Sequence, residues 1–147
     1  MSEAYLSAEQ AKAFLAGHPR VHWIDIFMHD VNGIARGKRI RAGDLMAFAD
    51  KGFMVPSTCY IMDMRGSCVE ETGRLWETGD PDLQFRILAG TLAPVSMKDA
   101  THAQAVMVPV EDDGGLDPRR LLQRQSARLA ARGYHPVTAV ELEFYVS

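Results

Sequence analysis

Apolar and polar positions along this chain change period several times, and each change marks an element. Residues 7–16 carry a helix start: Ser7 can cap it, Gln10 can reach back in a capping box, and Phe14 with Leu15 gives a small apolar face. Gly17, His18 and Pro19 end it. Residues 21–29 are rich in Val, Trp and Ile and read as a strand. Asp30-Val31-Asn32-Gly33 is a hairpin turn signal, and residues 34–40 return as a second strand carrying Arg36, Lys38 and Arg39. A short helix over 44–50 closes at Gly52, and residues 53–56 are extended. From 57 to 81 the periodicity is weak and punctuated by Gly66, Gly73, Gly79 and Pro81. Such a stretch inside a compact domain is usually a functional loop or a misread element. Strands come next at 83–88 and 104–110, with a Gly90-Thr91-Leu92 turn between them.

The clearest helix spans 117–132. Asp117 is its N-cap, Pro118 its first residue and Gly133 its stop, with Leu122 and Leu129 marking a buried stripe. Residues 137–146 then alternate as a strand does. Glu141, Glu143 and Tyr145 share one face; Leu142, Phe144 and Val146 take the other. The order predicts an α+β fold, with a small mixed sheet and packed helices over the first hundred or so residues. A polar linker at 111–116 separates that module from the helix over 117–132 and the strand over 137–146.

Composition narrows the function classes. The chain has 147 residues, 47% of them hydrophobic, which suits one domain or one domain and the start of another. A net charge of −3 gives no nucleic-acid or membrane-surface signature. No apolar run is long enough to span a membrane, and the N-terminus lacks the apolar core of a signal peptide. Cys59 and Cys68 lack metal-site spacing; free thiols suit a reducing cytoplasm. The five histidines are scattered without ligand spacing.

Two groups carry candidate chemistry. Glu141 and Glu143 on one strand face would sit roughly 6–7 Å apart. Like charges so placed repel, whereas a rigid pair of carboxylates suits hard cations such as Mg²⁺ or Mn²⁺. The plainer reading is an exposed strand face. Asp63, between Met62 and Met64, could accept a proton from a cationic amine. The plainer reading is a turn-capping aspartate. Arg120, Arg124, Arg128 and Arg132 form one helix stripe, read as a solvated face or subunit contact. Arg36, Lys38, Arg39 and Arg41 make a basic patch, read as a solvated edge strand.

In this order the pieces resemble the N-terminal part of a glutamine synthetase family enzyme. Trp23-Ile24-Asp25-Ile26-Phe27 with Asp30-Val31-Asn32-Gly33 resembles that family's opening hairpin. Met62-Asp63-Met64-Arg65-Gly66-Ser67 resembles its acidic loop, Asp117-Pro118-Arg119-Arg120 the start of its first catalytic-domain helix, and Glu141-Leu142-Glu143-Phe144-Tyr145 its first metal-ligand strand. The wording of residues 79–82, of the 90–92 turn and of the Glu141 strand is most similar to the branch that ligates glutamate to amines such as putrescine.

The resemblance implies an N-terminal helix and lead-in over 1–19, a β-grasp domain over 20–110, and over 111–147 the truncated first helix and strand of a catalytic domain. It implies ATP and Mg²⁺ or Mn²⁺ as cofactors, and glutamate with ammonia or a polyamine as substrates. It also implies a homo-oligomeric ring, a dodecamer for the full-length enzyme, with active sites between subunits. Glu141 and Glu143 would be metal ligands, Asp63 the loop acid that binds and deprotonates the amine, and Trp76 a loop aromatic near the nucleotide. This loop lacks the Asp-Gly-Ser-Ser wording of ammonia-using bacterial enzymes. The expected activity is an ATP-dependent carboxylate–amine ligase, with this chain inactive alone; the alternative is a stand-alone, non-catalytic β-grasp interaction module.

Overall fold

The computed structural model describes residues 4–96, 100–111 and 115–146. The first helix, α1 (Ala8–Gly17), starts where its capping box dictates. Ser7 Oγ accepts from the Gln10 N–H at 3.2 Å, and the Ser7 N–H donates to Gln10 Oε1 at 2.9 Å. Strand β1 (Trp23–His29) turns at Asp30 into β2 (Ala35–Arg41). A 3-10 turn (Ala42–Asp44) leads into α2 (Leu45–Lys51), which ends at Gly52 and feeds β3 (Phe53–Pro56). Irregular chain with two further 3-10 turns runs to β4 (Asp82–Ile87). Then come β5 (Ala93–Pro94), β6 (His102–Pro109) and α3 (Pro118–Ala130).

The fold is mixed α+β, as expected. Its sheet runs β2-β1-β6-β4-β3, and β5 pairs with β6 beside β4. β1 and β6 are parallel; the other pairs are antiparallel. Alternation decides which face is covered. Ile24, Ile26 and Met28 of β1, Ala103, Ala105 and Met107 of β6, and Phe85 and Ile87 of β4 all point into one core. Leu45 and Ala49 of α2 and Ala11 of α1 close it, and α1 packs on α2. Each large side chain buried there contributes about 1.5–3 kcal/mol. Arg86 ties the layers together, donating from Nη2 to the Ala49 carbonyl at 2.7 Å near the end of α2.

At Gly37 the backbones of β1 and β2 come so close that a Cβ would lie 1.9 Å from the Ile26 carbonyl oxygen. Only a residue without a side chain fits that register, where Gly37 faces Phe27.

α3 keeps both of its predicted ends. Asp117 Oδ1 accepts from the Arg119 N–H at 2.9 Å. At the other end the Gly133 N–H donates to the Ala130 carbonyl and the Tyr134 N–H to the Leu129 carbonyl, both at 3.0 Å. This is the paired termination a left-handed glycine permits, with Gly133 at φ 80°.

Several expectations are corrected. No residue of α3 is buried: Leu122 is 67% exposed, so the predicted apolar stripe faces water. Arg120 is not on a solvated face. It is half-buried and donates to the carbonyls of Pro109, Val110 and Glu111, binding α3 to the end of β6. Arg36 likewise leaves the basic patch for an ion pair with buried Asp30. Residues 137–146 form no ladder with any described residue, and Leu142, Phe144 and Val146 are exposed. Alternation reports which face could be buried; a strand also needs a partner for its N–H and C=O groups. The linker expected at 111–116 falls partly on residues 112–114, outside the described residues.

Candidate functional site

The most ordered candidate is the loop around Asp63, built on the β1–β2 turn. Asp30 closes that turn from inside. Its carboxylate is sealed from solvent near the rim of the fold, with Oδ1 accepting from the Asn32 N–H (2.9 Å) and Ile34 N–H (2.8 Å). Oδ2 accepts from Arg36 Nε at 2.9 Å. Burial pushes the Asp30 carboxyl up, but the Ile34 N–H, Arg36 and Asn32 N–H bonds outweigh it and hold it below the usual carboxylate range.

The loop carrying Asp63 folds on itself. Met62 and Cys68 form an antiparallel bridge, and the Asp63 N–H donates to the Ser67 carbonyl at 2.9 Å. Asp63 Oδ1 accepts from the Arg65 and Ser67 N–H groups, each at 2.8 Å. Gly66, at φ 89°, makes the tight reversal that side-chain-bearing residues resist. Asp63 is therefore the turn cap that the plainer reading anticipated. Capping occupies Oδ1; Oδ2 makes no hydrogen bond with a described residue. A half-buried carboxylate with one oxygen fixed and one open can hold a cationic ligand in a defined direction.

Trp76 lies further along the same irregular stretch. It is 76% exposed, and its indole N–H donates to Glu70 Oε1 at 3.3 Å. Glu141 and Glu143 stand exposed in the unpaired segment 137–146. The structure does not bring these four residues together: no hydrogen bond or ion pair joins Asp63, Trp76, Glu141 and Glu143 to one another among the described residues. Among those residues no group of three His, Cys, Asp or Glu side chains could hold a metal ion. Two carboxylates do not complete the six or more oxygen contacts a hard cation takes, so the described residues do not by themselves fit a Mg²⁺ or Mn²⁺ site.

Elsewhere the open sheet face carries a shallow groove of about 590 Å³ lined by Asp25, Phe27, Gly37, Lys38, Arg39 and Gln104. None of the four candidates lines it. Cys59 and Cys68 are both free thiols, and burial first of all pushes Cys59 up, away from nucleophilic thiolate character. No helix among the described residues is long and apolar enough to cross a membrane. Sequence reading missed the roles of Arg36 and Asn32. The hairpin signal places both beside the turn, but their acceptors in the Asp63 loop lie 27 and 30 residues on.

Comparison with known proteins bears on the whole chain. No protein-family model matches it. Gamma-glutamylputrescine synthetase of Escherichia coli (strain K12) is 36% identical over 141 residues, covering 94% of this chain. The chain spans 30% of that relative's length. Two solved structures share the fold. The GmaS/ADP complex aligns with a TM-score of 0.59 at 16% identity, over 82% of this chain and 25% of that one. GmaS without ligand aligns at 0.55 with 17% identity, over 82% and 26%. With the hairpin, the acidic loop and the capped helix in place, the chain is similar over 94% of its length to gamma-glutamylputrescine synthetase, a glutamine synthetase family enzyme.

Proposed function

We propose that this chain is the N-terminal part of an ATP-dependent ligase that joins the γ-carboxylate of glutamate to an amine. The observation that carries the reading is the 36% identity to a gamma-glutamylputrescine synthetase across 94% of the chain. ATP transfers its γ-phosphoryl group to the γ-carboxylate, giving an acyl phosphate and ADP. The ammonium form of the amine loses a proton to the Asp63 carboxylate. The free amine attacks the acyl carbon, and phosphate leaves with the electron pair of the broken C–O bond and takes up the second proton that the nitrogen sheds, giving a γ-glutamylamide. Asp63 suits the role because one oxygen is fixed by the loop and the other is open.

On this reading residues 20–110 are a β-grasp-like domain. The β1–β2 hairpin, the helix packed on the sheet and the parallel β1–β6 pair support it. Residues 111–147 begin the catalytic domain. There Glu141 and Glu143 contribute two oxygen ligands to a divalent-metal site completed by other residues, and Trp76 lies near the nucleotide. The full-length ligase assembles as a homo-oligomeric ring, the Asp63 loop of one subunit serving a neighbour's site. The exposed run Leu142, Phe144, Tyr145 and Val146 supports this over a self-contained interaction module, since an apolar segment left in water calls for a covering partner.

The test is ADP release by the purified full-length ligase with ATP and glutamate, with and without putrescine or ammonia. Release that depends on glutamate and on one of these amines is expected. ATP turnover indifferent to every amine would contradict the proposal.

A further inference from the structure

The Asp63 loop does not stand on its own strands. It is mounted on the β1–β2 turn through three struts. Arg36 donates from Nη2 to the Asp63 main-chain oxygen at 2.8 Å, while its Nε holds Asp30 at 2.9 Å. Asn32 Nδ2 donates to the Met62 carbonyl at 2.9 Å. The Val31 N–H donates to the Tyr60 carbonyl at 3.0 Å. Arg36 also lies directly beneath the reversal, since a Cβ on Gly66 would sit 3.3 Å from its Nη1.

We infer that Arg36 and Asn32 are positioning residues that aim the Asp63 carboxylate at a cationic amine. The inference rests on the reading of Asp63 as the group that binds and deprotonates that amine. Three features carry it. First, the struts end on main-chain oxygens of residues 60, 62 and 63 and leave Asp63 Oδ2 open beside the capping Oδ1. Second, the Arg36 charge is met by Asp30, inside the mount, so the guanidinium does not pair with the Asp63 side chain. A carboxylate paired with a guanidinium would be a poor partner for an ammonium group. Third, Asp30 is itself locked by two turn N–H groups, so the fork of Arg36 has a fixed origin. The Arg36 guanidinium spans two acceptors from a planar fork, which a lysine ammonium cannot reproduce.

The test uses the full-length ligase with Arg36→Lys, Asn32→Ala and Asp63→Asn. Steady-state kinetics are read separately for amine, glutamate and ATP. Hydrogen exchange is read at the Arg65 and Ser67 amides, which report the loop without reference to catalysis. Displacing a catalytic group by about an ångström costs on the order of a hundredfold. The expected result is a fall of about that size in kcat/KM for the amine in Arg36→Lys and Asn32→Ala, with KM for ATP and glutamate little changed. Exchange at the Arg65 and Ser67 amides should quicken in both. Combining either with Asp63→Asn should add little to the loss from Asp63→Asn alone. Equal losses for all three substrates would reduce Arg36 and Asn32 to ordinary structural residues and overturn the inference. So would unchanged loop exchange, or wild-type amine kinetics in both variants while Asp63→Asn is impaired. Faster exchange together with wild-type amine kinetics in Asp63→Asn would uphold the mount and overturn the reading of Asp63.

Discussion

Asp25 and Arg39 face each other across the β1–β2 ladder and meet in a two-pronged ion pair, with Arg39 Nε 2.7 Å from Oδ1 and Nη2 2.9 Å from Oδ2. A few residues further along the same hairpin, Asp30 and Arg36 make a second pair with the carboxylate sealed from water. The two pairs have similar lengths and very different surroundings. Solvent screens the first, while loss of the second strands three part-buried donors aimed at a sealed carboxylate. Asp25→Ala should shift the urea midpoint little. Asp30→Ala should destabilise by about 2–3 kcal/mol. Equal shifts in urea titrations of the two variants would contradict this difference.

The same aspartates set an acid limit. Both carboxyls lie below their ordinary value, Asp25 chiefly through its hydrogen bond from Arg39, and Asp30 through bonds that outweigh its burial. In the unfolded chain each returns to about 3.9. The folded state then binds fewer protons, so their stabilisation is complete above about pH 4 and lost as pH falls through the folded values. Urea midpoints from pH 7 to pH 3 should drop for the wild type and drop less steeply for Asp30→Asn. Parallel curves would remove Asp30 from the acid response.

Gly37 and Gly43 make a matched pair for backbone approach. A Cβ at Gly37 would enter the β1 backbone, whereas one at Gly43 meets nothing within 4 Å. Gly37→Ala should cost about 3 kcal/mol or more and loosen the hairpin. Gly43→Ala should fall within about 1 kcal/mol of wild type. Thermal unfolding of the two variants compares them directly.

Glu141 and Glu143 are exposed and make no hydrogen bond or ion pair with a described residue. Glutamine at either position should leave folding unchanged. If the pair ligates metal as proposed, each should cripple turnover in the full-length ligase, since a lost metal contact in phosphoryl transfer is worth several kcal/mol. Wild-type rates at limiting Mg²⁺ in both variants would make the pair ordinary surface charge.

Local signals were legible and distant ones were not. The Ser7–Gln10 box, the Asp117 cap and the Gly133 stop each depend on residues within a few positions, and all three formed as read. β5 is two residues long and includes Pro94, so it leaves no pattern to find. By charge alone Arg120 reads as a solvated face or subunit contact and Arg36 as part of a solvated edge strand, yet their acceptors are carbonyls and a buried carboxylate that no spacing rule reveals. The periodicity around Leu122 and around Phe144 fails for a different reason. In 118–130 and 137–146 the pattern marks surfaces suited to burial, while burial itself requires a covering layer. For the candidate site, Asp63 was visible as an acid in a glycine-bearing loop. Its capping geometry and its mount on the hairpin turn came only with the fold.

The claim that the Asp63 loop completes a ligase site on a neighbouring subunit is tested most directly by mixing. Asp63→Asn should lower the amine step by about 10²–10⁴-fold, since the amide keeps the cap but cannot accept the proton. Subunits carrying Asp63→Asn and subunits carrying Glu141→Gln are dissociated together, reassembled and assayed for amine-dependent phosphate release. Some mixed sites would then combine a sound Asp63 from one chain with a sound Glu141 from the other. Activity well above that of either parent is the predicted result; co-assembled oligomers as inactive as both parents would contradict it.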